Sequence, residues 1–244
     1  MTKETTTGYG RLIVGTREEL FAKAVELAVD RQARTVSPTF NLALTGGSTP
    51  QEWYRWCVAG RKFPEAFLRT THFTVSDERC VPLHSNQSNF GNALRELLEP
   101  LQVAATQQHP WPVEKLPGEA AASYAVAWDE RVGEGRTYDV CFLGMGDDGH
   151  TASIFPGSEL VKNDGGRLFT AVDVPGKGWR LTITPTGLAA CGLIVIMALG
   201  AAKAAMLKQV LTGAYQPLQT PVQQVRQWRE RVVWLIDDAA AAGV

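Results

Sequence analysis

Short apolar runs alternate with segments of helical periodicity along nearly the whole chain. Runs with the length of strands lie at residues 12–14, 40–44, 73–75, 138–143, 180–184, 193–198 and 232–236. Such alternation predicts an α/β fold with a mostly parallel sheet that helices cover on both faces. The length of 244 residues suits one large α/β domain or two small ones, and the chain contains no internal repeat and no low-complexity linker.

Helices are predicted between these strands, at residues 16–28, 50–57, 89–98, 119–131 and 201–211. The first opens with the pattern of a capping box, Thr16 with Glu19. The second shows the same pattern at Thr49 and Glu52, and Pro50 suits its first helical position. The irregular stretch 102–117 joins two halves of the chain without the composition of a flexible linker.

The composition argues against several classes of function. A net charge of −1, with both signs spread along the chain, lacks the basic surplus of a nucleic-acid groove, so we expect no nucleic-acid partner. No apolar targeting segment is visible, and the longest apolar run, 188–202, is too short and too rich in glycine and alanine to span a membrane. The four cysteines form no C-x-x-C pair, which is typical of reduced thiols in a cytoplasmic protein.

The glycine-rich segment Gly144–Pro156 is the most informative motif. It follows a buried apolar run and therefore leaves the carboxyl end of a strand, the edge at which open α/β sheets bind ligands. Asp147, Asp148 and His150 lie together in this segment. A histidine can accept a proton from water near neutral pH, and a neighbouring carboxylate can orient the imidazole or stabilise its cation. We therefore expect acid–base chemistry at this strand end.

The same segment spells G-x-G-x-x-G, the fingerprint of dinucleotide-binding folds, and Asp173 follows at a suitable distance for a ribose contact. The fingerprint requires a helix that holds a pyrophosphate at its N-terminus. Asp147 and Asp148 would repel that group, and Pro156 would stop the helix. We therefore do not expect this segment to bind a dinucleotide. A plain tight turn with surface aspartates explains the glycines, but it does not explain why a histidine and two acids crowd one strand end.

A second motif, Thr45–Pro50, stands between a predicted strand and a predicted helix. Gly46 and Gly47 allow the backbone to approach a ligand closely. Ser48 and Thr49 offer hydroxyls, and the helix N-terminus adds free N–H groups, so the motif predicts a phosphate site. No lysine follows the glycines, so the loop is not a Walker A loop. The alternative is a plain strand-to-helix turn with a capped helix.

Charged residues also follow the predicted strand at 73–75. We expect Asp77, Glu78 and Arg79 at the same sheet edge as His150, although such a run of charges also suits a surface ion-pair cluster. The other histidines have no context that predicts a function: His72, His84 and His109.

Two later cations complete the pattern. Arg180 begins a predicted strand, and Lys203 opens a predicted helix after another strand. Each alone suits a solvated surface charge, but together with residues 46–49 they suit a clamp for a phosphate dianion.

Taken together, these motifs resemble the 6-phosphogluconolactonase family. The residues that carry the resemblance are, in chain order, Gly46–Pro50, Asp77–Arg79, Ser88–Asn89, Gly144–Pro156, Arg180–Thr182 and Lys203–Ala204. The resemblance runs from about residue 16 to about residue 240, and Asp148–Ser153 is its most specific part. It implies a single Rossmann-like α/β domain over residues 1–244, with a doubly wound, mostly parallel sheet. It also implies hydrolysis of a sugar-phosphate lactone, 6-phospho-D-glucono-1,5-lactone, in the pentose phosphate pathway, with no metal and no organic cofactor.

The resemblance also implies roles for individual residues. His150 matches the general base, which would take a proton from the water that attacks the lactone carbonyl, and Asp148 would orient either the histidine or that water. Arg79 would either hold the phosphate or stabilise the oxyanion. Asp77 lies where deaminases carry a proton-transfer aspartate, and its role in a lactonase stays open. The implied phosphate contacts are Gly46, Gly47, Ser48, Thr49, Arg180 and Lys203.

One position separates the two branches of this resemblance. Glucosamine-6-phosphate deaminases share much of the pattern but carry a glutamate before the final proline of the histidine motif, where this chain has Phe155. Phenylalanine cannot move protons, which favours a lactonase over a deaminase or isomerase. A non-catalytic sugar-phosphate sensor is a further alternative, although only about fifteen residues precede the first predicted helix. We expect a monomer or a small homo-oligomer.

Overall fold

Ten strands form two sheets in the part of the chain that the structure, a computed structural model, describes: residues 2–37 and 39–243. The strands are β1 (Lys3–Thr7), β2 (Gly10–Gly15), β3 (Phe40–Leu44), β4 (Thr71–Val75), β5 (Asp77–Arg79), β6 (Val140–Gly144), β7 (Phe169–Val174), β8 (Gly178–Ile183), β9 (Ile194–Ala198) and β10 (Val232–Asp237).

Seven α-helices connect these strands within the described residues: α1 (Arg17–Ala33), α2 (Ser48–Ala59), α3 (Glu65–Thr70), α4 (Asn89–Ala93), α5 (Pro117–Val132), α6 (Pro185–Ala189) and α7 (Ala204–Thr212). The predicted helix at 89–98 is thus an α-helix that continues as a π-helical turn, Leu94–Leu98. The predicted helix at 201–211 begins with a 3₁₀ turn, Ala201–Lys203.

The central sheet has the strand order β1-β2-β10-β9-β6-β3-β4. All neighbours are parallel except β1, which pairs antiparallel with β2 at one edge. Every residue of β3, β9 and β10 is buried, as expected for strands that lie inside a parallel sheet. The predicted mixed α/β fold with a mostly parallel sheet is therefore confirmed.

The order of the strands reverses between β3 and β6. From β3 the chain continues outward to β4 at the sheet edge, whereas from β6 it continues in the opposite direction to β9 and then β10. In doubly wound sheets a crevice opens at such a switch point, outside the carboxyl ends of the two strands. The turn at Gly46 follows β3 and the segment Gly144–Pro156 follows β6, so both motifs border this crevice.

A second, antiparallel sheet has the order β5-β8-β7. Ser76 connects it to the central sheet, because its N–H donates to Leu44 O (2.8 Å) and its carbonyl accepts from Ile183 N (3.0 Å). The chain therefore passes from β4 into β5 through one residue. This connection brings Asp77 and Arg79 from the edge of the central sheet to the neighbourhood of the crevice.

The sequence prediction is right at one helix start and wrong at another. Thr16 and Glu19 form the predicted capping box at the start of α1. The capping box predicted at Thr49 is wrong: α2 begins at Ser48, its N-cap is Gly47, and no side chain caps it. Gly47 adopts φ +110°, a conformation that only glycine reaches easily, and this starts the helix before Thr49.

Three strands were missed because they lack an apolar run of their own. β1 is polar and mostly exposed, β5 has three residues, and β7 alternates apolar and polar residues. Pairing with β2 and β8 defines them.

Within the described residues, no helix combines the length and apolarity needed to cross a membrane. The four cysteines are free thiols, as predicted, and three of them are buried.

His72 and His109, for which the sequence predicted no function, form a half-buried pair beside β4. His72 Nδ1 lies 2.8 Å from His109 Nε2, and the rings stack with centroids 5.0 Å apart. Arg131 Nη1 lies 3.0 Å from the same His72 Nδ1. Burial and the Arg131 charge lower the pKa of His72, and burial with Arg131 and His72 lowers the pKa of His109 to about 4.

We therefore predict that the protein loses stability as the pH falls from about 6.5 to about 4. A histidine in the unfolded chain protonates near pH 6.5. His109 resists protonation in the folded state, so the unfolded state binds more protons in this window and unfolding becomes easier. His109→Gln should remove about 1–2 kcal/mol of this loss after allowance for solvent screening. Chemical denaturation at pH 7 and pH 5 measures it.

The matched control is His84→Gln, which replaces a loop histidine outside this pair. It should keep the wild-type difference in the free energy of unfolding between pH 7 and pH 5. An equal pH dependence in wild type and His109→Gln would contradict the role given to the pair.

Candidate active site

A cavity of about 220 Å³ lies at the switch point of the central sheet. It is lined by residues from both motif loops, from β5, and from the starts of α4 and α7: Thr45, Gly46, Gly47, Asp77, Arg79, Asn89, Gly144, Met145, Gly146, His150, Ala152 and Lys203. The structure thus brings together His150, Asp77, Arg79, Lys203 and the double-glycine turn, as their strand-end positions predicted.

The loop after β6 is a closed turn and not the start of a helix. Gly146 N–H donates to His150 O (2.9 Å), and Gly149 N–H donates to Gly146 O (3.0 Å). A Cβ at Gly146 would collide with the imidazole of His150, so glycine is required beneath the ring. Because no helix follows Gly149, the segment does not provide the pyrophosphate site of a dinucleotide fingerprint.

His150 is held by Asp148. The Asp148 Oδ1 atom lies 2.5 Å from His150 Nδ1 and also accepts the His150 backbone N–H at 3.0 Å. Partial burial raises the pKa of Asp148, but these hydrogen bonds outweigh burial and hold that pKa below its usual range. The carboxylate is therefore charged near neutral pH, and it occupies Nδ1, so that Nε2 is the ring nitrogen not engaged by Asp148.

An aromatic ring covers one face of the imidazole. The rings of His150 and Phe155 stack with centroids 4.3 Å apart and an angle of 22° between their planes. Lys177 Nζ, from the turn between β7 and β8, lies 5.5 Å from the centre of the Phe155 ring. The imidazole thus has Gly146, Asp148 and Phe155 around it.

The double-glycine turn and the first turn of α2 form a second wall. Gly47 is the N-cap of α2, and among the described residues the N–H groups of Ser48 and Thr49 have no hydrogen-bond acceptor. Such free N–H groups and the positive end of the helix dipole favour an anion. Gly46 and Gly47 line the cavity, whereas Ser48 and Thr49 lie beside it in the helix. A Cβ at Gly46 would collide with the Asn89 side chain.

Arg79 and Arg180 are directly opposite each other on the antiparallel pair β5–β8, so their side chains share one face of the sheet. Arg79 Nη1 donates to Gln87 O (2.5 Å) and to Asn89 Oδ1 (3.1 Å). Partial burial and the Arg79 charge lower the pKa of Arg180. Within the described residues neither guanidinium forms an ion pair with a carboxylate. Arg180 itself does not line the cavity.

Glu78, between Asp77 and Arg79, is fully buried and does not belong to a surface ion-pair cluster. Its carboxylate accepts four hydrogen bonds, from the backbone N–H groups of Arg79, Asn89 and Phe90 (2.7–2.8 Å) and from Ser88 Oγ (2.9 Å). Burial raises the pKa of Glu78, and these hydrogen bonds oppose the rise. Glu78 therefore fastens β5 to the start of α4 and fixes the positions of these two elements beside the cavity.

Lys203 is not a free cation in this structure. Its Nζ lies 2.5 Å from Asp147 Oδ1, and the Asp147 side chain is 73 % exposed. The pair is a weak surface ion pair, since exposed pairs are screened by water. An anion in the cavity would have to compete with Asp147 for the ammonium group.

Asn89 is a polar residue of the cavity to which the sequence analysis assigned no role. Its side-chain oxygen accepts from Arg79 (3.1 Å), and its Nδ2 donates to the Asp77 carbonyl (2.9 Å). The only signal in the sequence was the Ser88–Asn89 pair, because Ser88 has the residue type of an N-cap and does cap α4 through Gly91 N–H. Among the described residues, no cluster of three His, Cys, Asp or Glu side chains has the arrangement of a metal site.

Comparison with known proteins gives a family. A family model described as glucosamine-6-phosphate isomerases/6-phosphogluconolactonase matches residues 15–234. The 6-phosphogluconolactonase of Nostoc sp. is 31 % identical over 92 % of this chain and 90 % of that protein. The GDH/6PGL endoplasmic bifunctional protein of Oryctolagus cuniculus is 32 % identical over 95 % of this chain, and the match spans 30 % of that longer protein.

Solved structures give the same picture of the fold. The 6-phosphogluconolactonase from Trypanosoma cruzi superposes with a TM-score of 0.81 at 26 % identity, over 98 % of both chains. A monomeric glucosamine-6-phosphate deaminase shares the fold, with a TM-score of 0.76 at 17 % identity over 96 % of this chain and 99 % of that one. The chain belongs to the glucosamine-6-phosphate isomerase/6-phosphogluconolactonase family.

Proposed function

We propose that this chain hydrolyses 6-phospho-D-glucono-1,5-lactone to 6-phosphogluconate, as a 6-phosphogluconolactonase of the pentose phosphate pathway. The observation that carries the proposal is that His150, held by Asp148, lines one cavity together with Arg79, Lys203 and the double-glycine turn. The names of the Nostoc and Trypanosoma relatives support it. One catalytic domain over residues 1–244, a cytoplasmic location and a monomer or small homo-oligomer stay predictions.

In the proposed mechanism His150 is the general base. The Asp148 carboxylate keeps the proton on Nδ1, so Nε2 carries the lone pair and takes a proton from a water molecule. The water oxygen attacks C1 of the lactone, and the carbonyl electron pair moves onto its oxygen. Collapse of this tetrahedral intermediate breaks the bond between C1 and the ring oxygen. The imidazolium returns its proton to that oxygen, and the new carboxylic acid ionises.

The other end of the substrate carries a phosphate dianion, for which we propose the wall formed by the double-glycine turn. The N–H groups of Ser48 and Thr49 would donate hydrogen bonds to it, with Lys203 and Arg180 as charge partners. We assign Arg79 to this phosphate end and not to the oxyanion. Its Asn89 partner packs against the Gly46 turn, which ties the guanidinium to that wall. Remote phosphate binding supplies energy that holds the lactone against His150.

The alternative function, that of a glucosamine-6-phosphate deaminase, would need an acid that assists ring opening. At the position where the deaminases carry that acid, this chain has Phe155, whose ring stacks on His150 and offers no proton. An apolar ring in this place suits a lactonase. We therefore expect no release of ammonia from glucosamine 6-phosphate.

A coupled assay with freshly generated 6-phosphogluconolactone, corrected for spontaneous hydrolysis, tests the proposal. The wild type should accelerate hydrolysis, and His150→Ala should lower kcat about 10²–10⁴-fold without a change in melting temperature, because general acid–base catalysis has this magnitude. A control replaces His84, which lies outside the cavity, by Gln. Near-wild-type turnover of His150→Ala would refute the assignment of His150 as the general base. Rapid deaminase turnover by the wild type would favour the deaminase function.

The Lys203–Asp147 pair leads to a second prediction. Arg180→Ala and Lys203→Ala should each raise KM for the phosphorylated lactone about tenfold with little change in kcat, because the phosphate is remote from C1. Asp147→Asn should have the opposite effect and lower KM about 2–5-fold, since it frees the ammonium group.

Steady-state kinetics at 20 mM and 300 mM salt measures these effects, and the gain in Asp147→Asn should shrink at high salt through screening. Glu159→Gln is the matched control, because Glu159 is an exposed carboxylate paired with Lys162 away from the cavity. A higher KM in Asp147→Asn would mean that the aspartate holds Lys203 for the substrate and does not compete with it.

A further inference from the structure

Ser153 lies three residues after His150, yet it belongs to a different part of the molecule. Its Oγ donates to Asp77 Oδ2 at 2.6 Å, and its N–H donates to Thr182 Oγ1 at 3.1 Å. Asp77 and Thr182 are opposite each other on β5 and β8. Ser153 is 1 % exposed and does not line the cavity. The loop that carries His150 is therefore docked onto the second sheet through this one residue.

The two oxygens of the Asp77 carboxylate have different surroundings. Oδ2 accepts the short hydrogen bond from Ser153. Among the described residues, the hydrogen bonds of Oδ1 are both long, 3.4 Å from Ser76 Oγ and 3.5 Å from Asn89 Nδ2. Asp77 lines the cavity, whereas Ser153 and Ser76 are buried behind it. Oδ1 is therefore the oxygen with acceptor capacity left for a ligand.

An unusual backbone conformation at Ala152 places Ser153 next to Asp77. Ala152 has φ +46°, a conformation that is uncommon for a residue with a Cβ atom. Thr151 and Ile154 close the turn around it through two backbone hydrogen bonds of 3.0 and 3.4 Å. Unfavourable backbone conformations persist only where the surroundings hold them. Here the surroundings are this turn and the two hydrogen bonds of Ser153.

We propose that Ser153 is a positioning residue that orients Asp77 for substrate recognition. By occupying Oδ2, it turns Oδ1 toward the cavity, where Oδ1 accepts a hydrogen bond from a ring hydroxyl of the phosphorylated lactone. Asp77 then selects for a sugar hydroxyl at one ring position and transfers no proton. This inference rests on the proposed lactonase function and adds to it the residue that fixes how the lactone ring is held.

A purely structural role for Ser153 makes a different prediction. If Ser153 only stabilised the loop, its loss would harm catalysis equally whether or not Asp77 is present. If it acts through Asp77, its loss has no effect once the carboxylate is gone. Ser153→Ala suits this comparison, because the alanine keeps the backbone N–H that bonds to Thr182 and removes only the bond to Asp77.

The experiment is a double-mutant cycle of Ser153→Ala, Asp77→Ala and both together, read as kcat/KM for 6-phosphogluconolactone. We expect losses of about 10-fold for Ser153→Ala and about 100-fold for Asp77→Ala, the range for hydrogen bonds to charged groups. The double variant should match Asp77→Ala within twofold. Ser158→Ala is the control: its hydroxyl caps a short 3₁₀ turn outside the cavity, and kcat/KM should stay at the wild-type value.

A multiplicative effect of the two changes, about 1000-fold in the double variant, would overturn the proposal, and so would a Ser153→Ala variant with wild-type kcat/KM. If Ser153→Ala does not fold, Ser153→Cys keeps the side-chain volume with a weaker donor and should show a smaller loss that again vanishes with Asp77→Ala. Wild-type turnover is measured first, so failure of the lactonase proposal itself is seen separately.

Deoxy analogues of the substrate test the proposed hydrogen bond between Asp77 and a ring hydroxyl. Among 2-, 3- and 4-deoxy analogues of the phosphorylated lactone, one should lose kcat/KM in the wild type but lose nothing further in Asp77→Ala. Equal losses for every analogue in both proteins would show that Asp77 does not bind a ring hydroxyl.

Discussion

The reversal of strand order between β3 and β6 is the constraint on which the candidate site depends. Because the chain leaves these neighbouring parallel strands in opposite directions, no connection crosses the space above their carboxyl ends, and a cavity of about 220 Å³ remains there. Each strand contributes a glycine turn to it, Gly46–Gly47 after β3 and Gly144–Gly146 after β6. One turn begins a helix with free N–H groups, and the other holds an imidazole over a glycine, so free N–H groups and an imidazole lie at the same edge of the sheet.

The second sheet contributes two cavity residues, Asp77 and Arg79, which do not lie on the central sheet. Ser76 passes the chain from β4 to β5, and the buried carboxylate of Glu78 fastens β5 to α4 with four hydrogen bonds. This places Asp77 and Arg79 beside the cavity although they follow the edge strand. Each basic side chain has a polar partner that restrains it: His150 has Asp148, Arg79 has Asn89, and Lys203 has Asp147.

Much of this arrangement was predictable from sequence because apolar runs mark buried parallel strands, and loops after such strands meet at one edge. His150, Lys203 and the double-glycine turn were found in this way. Contacts across the chain were not predictable. The contact of Ser153 with Asp77 depends on the pairing of β5 with β8, and the contact of Asn89 with Arg79 depends on Glu78, which fastens β5 to α4. β5 has no apolar pattern of its own. The cap at Thr49 failed because the positive φ of Gly47 starts α2 earlier.

The most direct test is a crystal structure of this chain with the product, 6-phosphogluconate. We expect the phosphate at the N–H groups of Ser48 and Thr49, near Arg79 and Lys203, and the C1 carboxylate within hydrogen-bond reach of His150 Nε2. A product bound in the reverse direction, with its phosphate at His150, or bound outside the cavity at the β3–β6 switch point, would contradict this expectation.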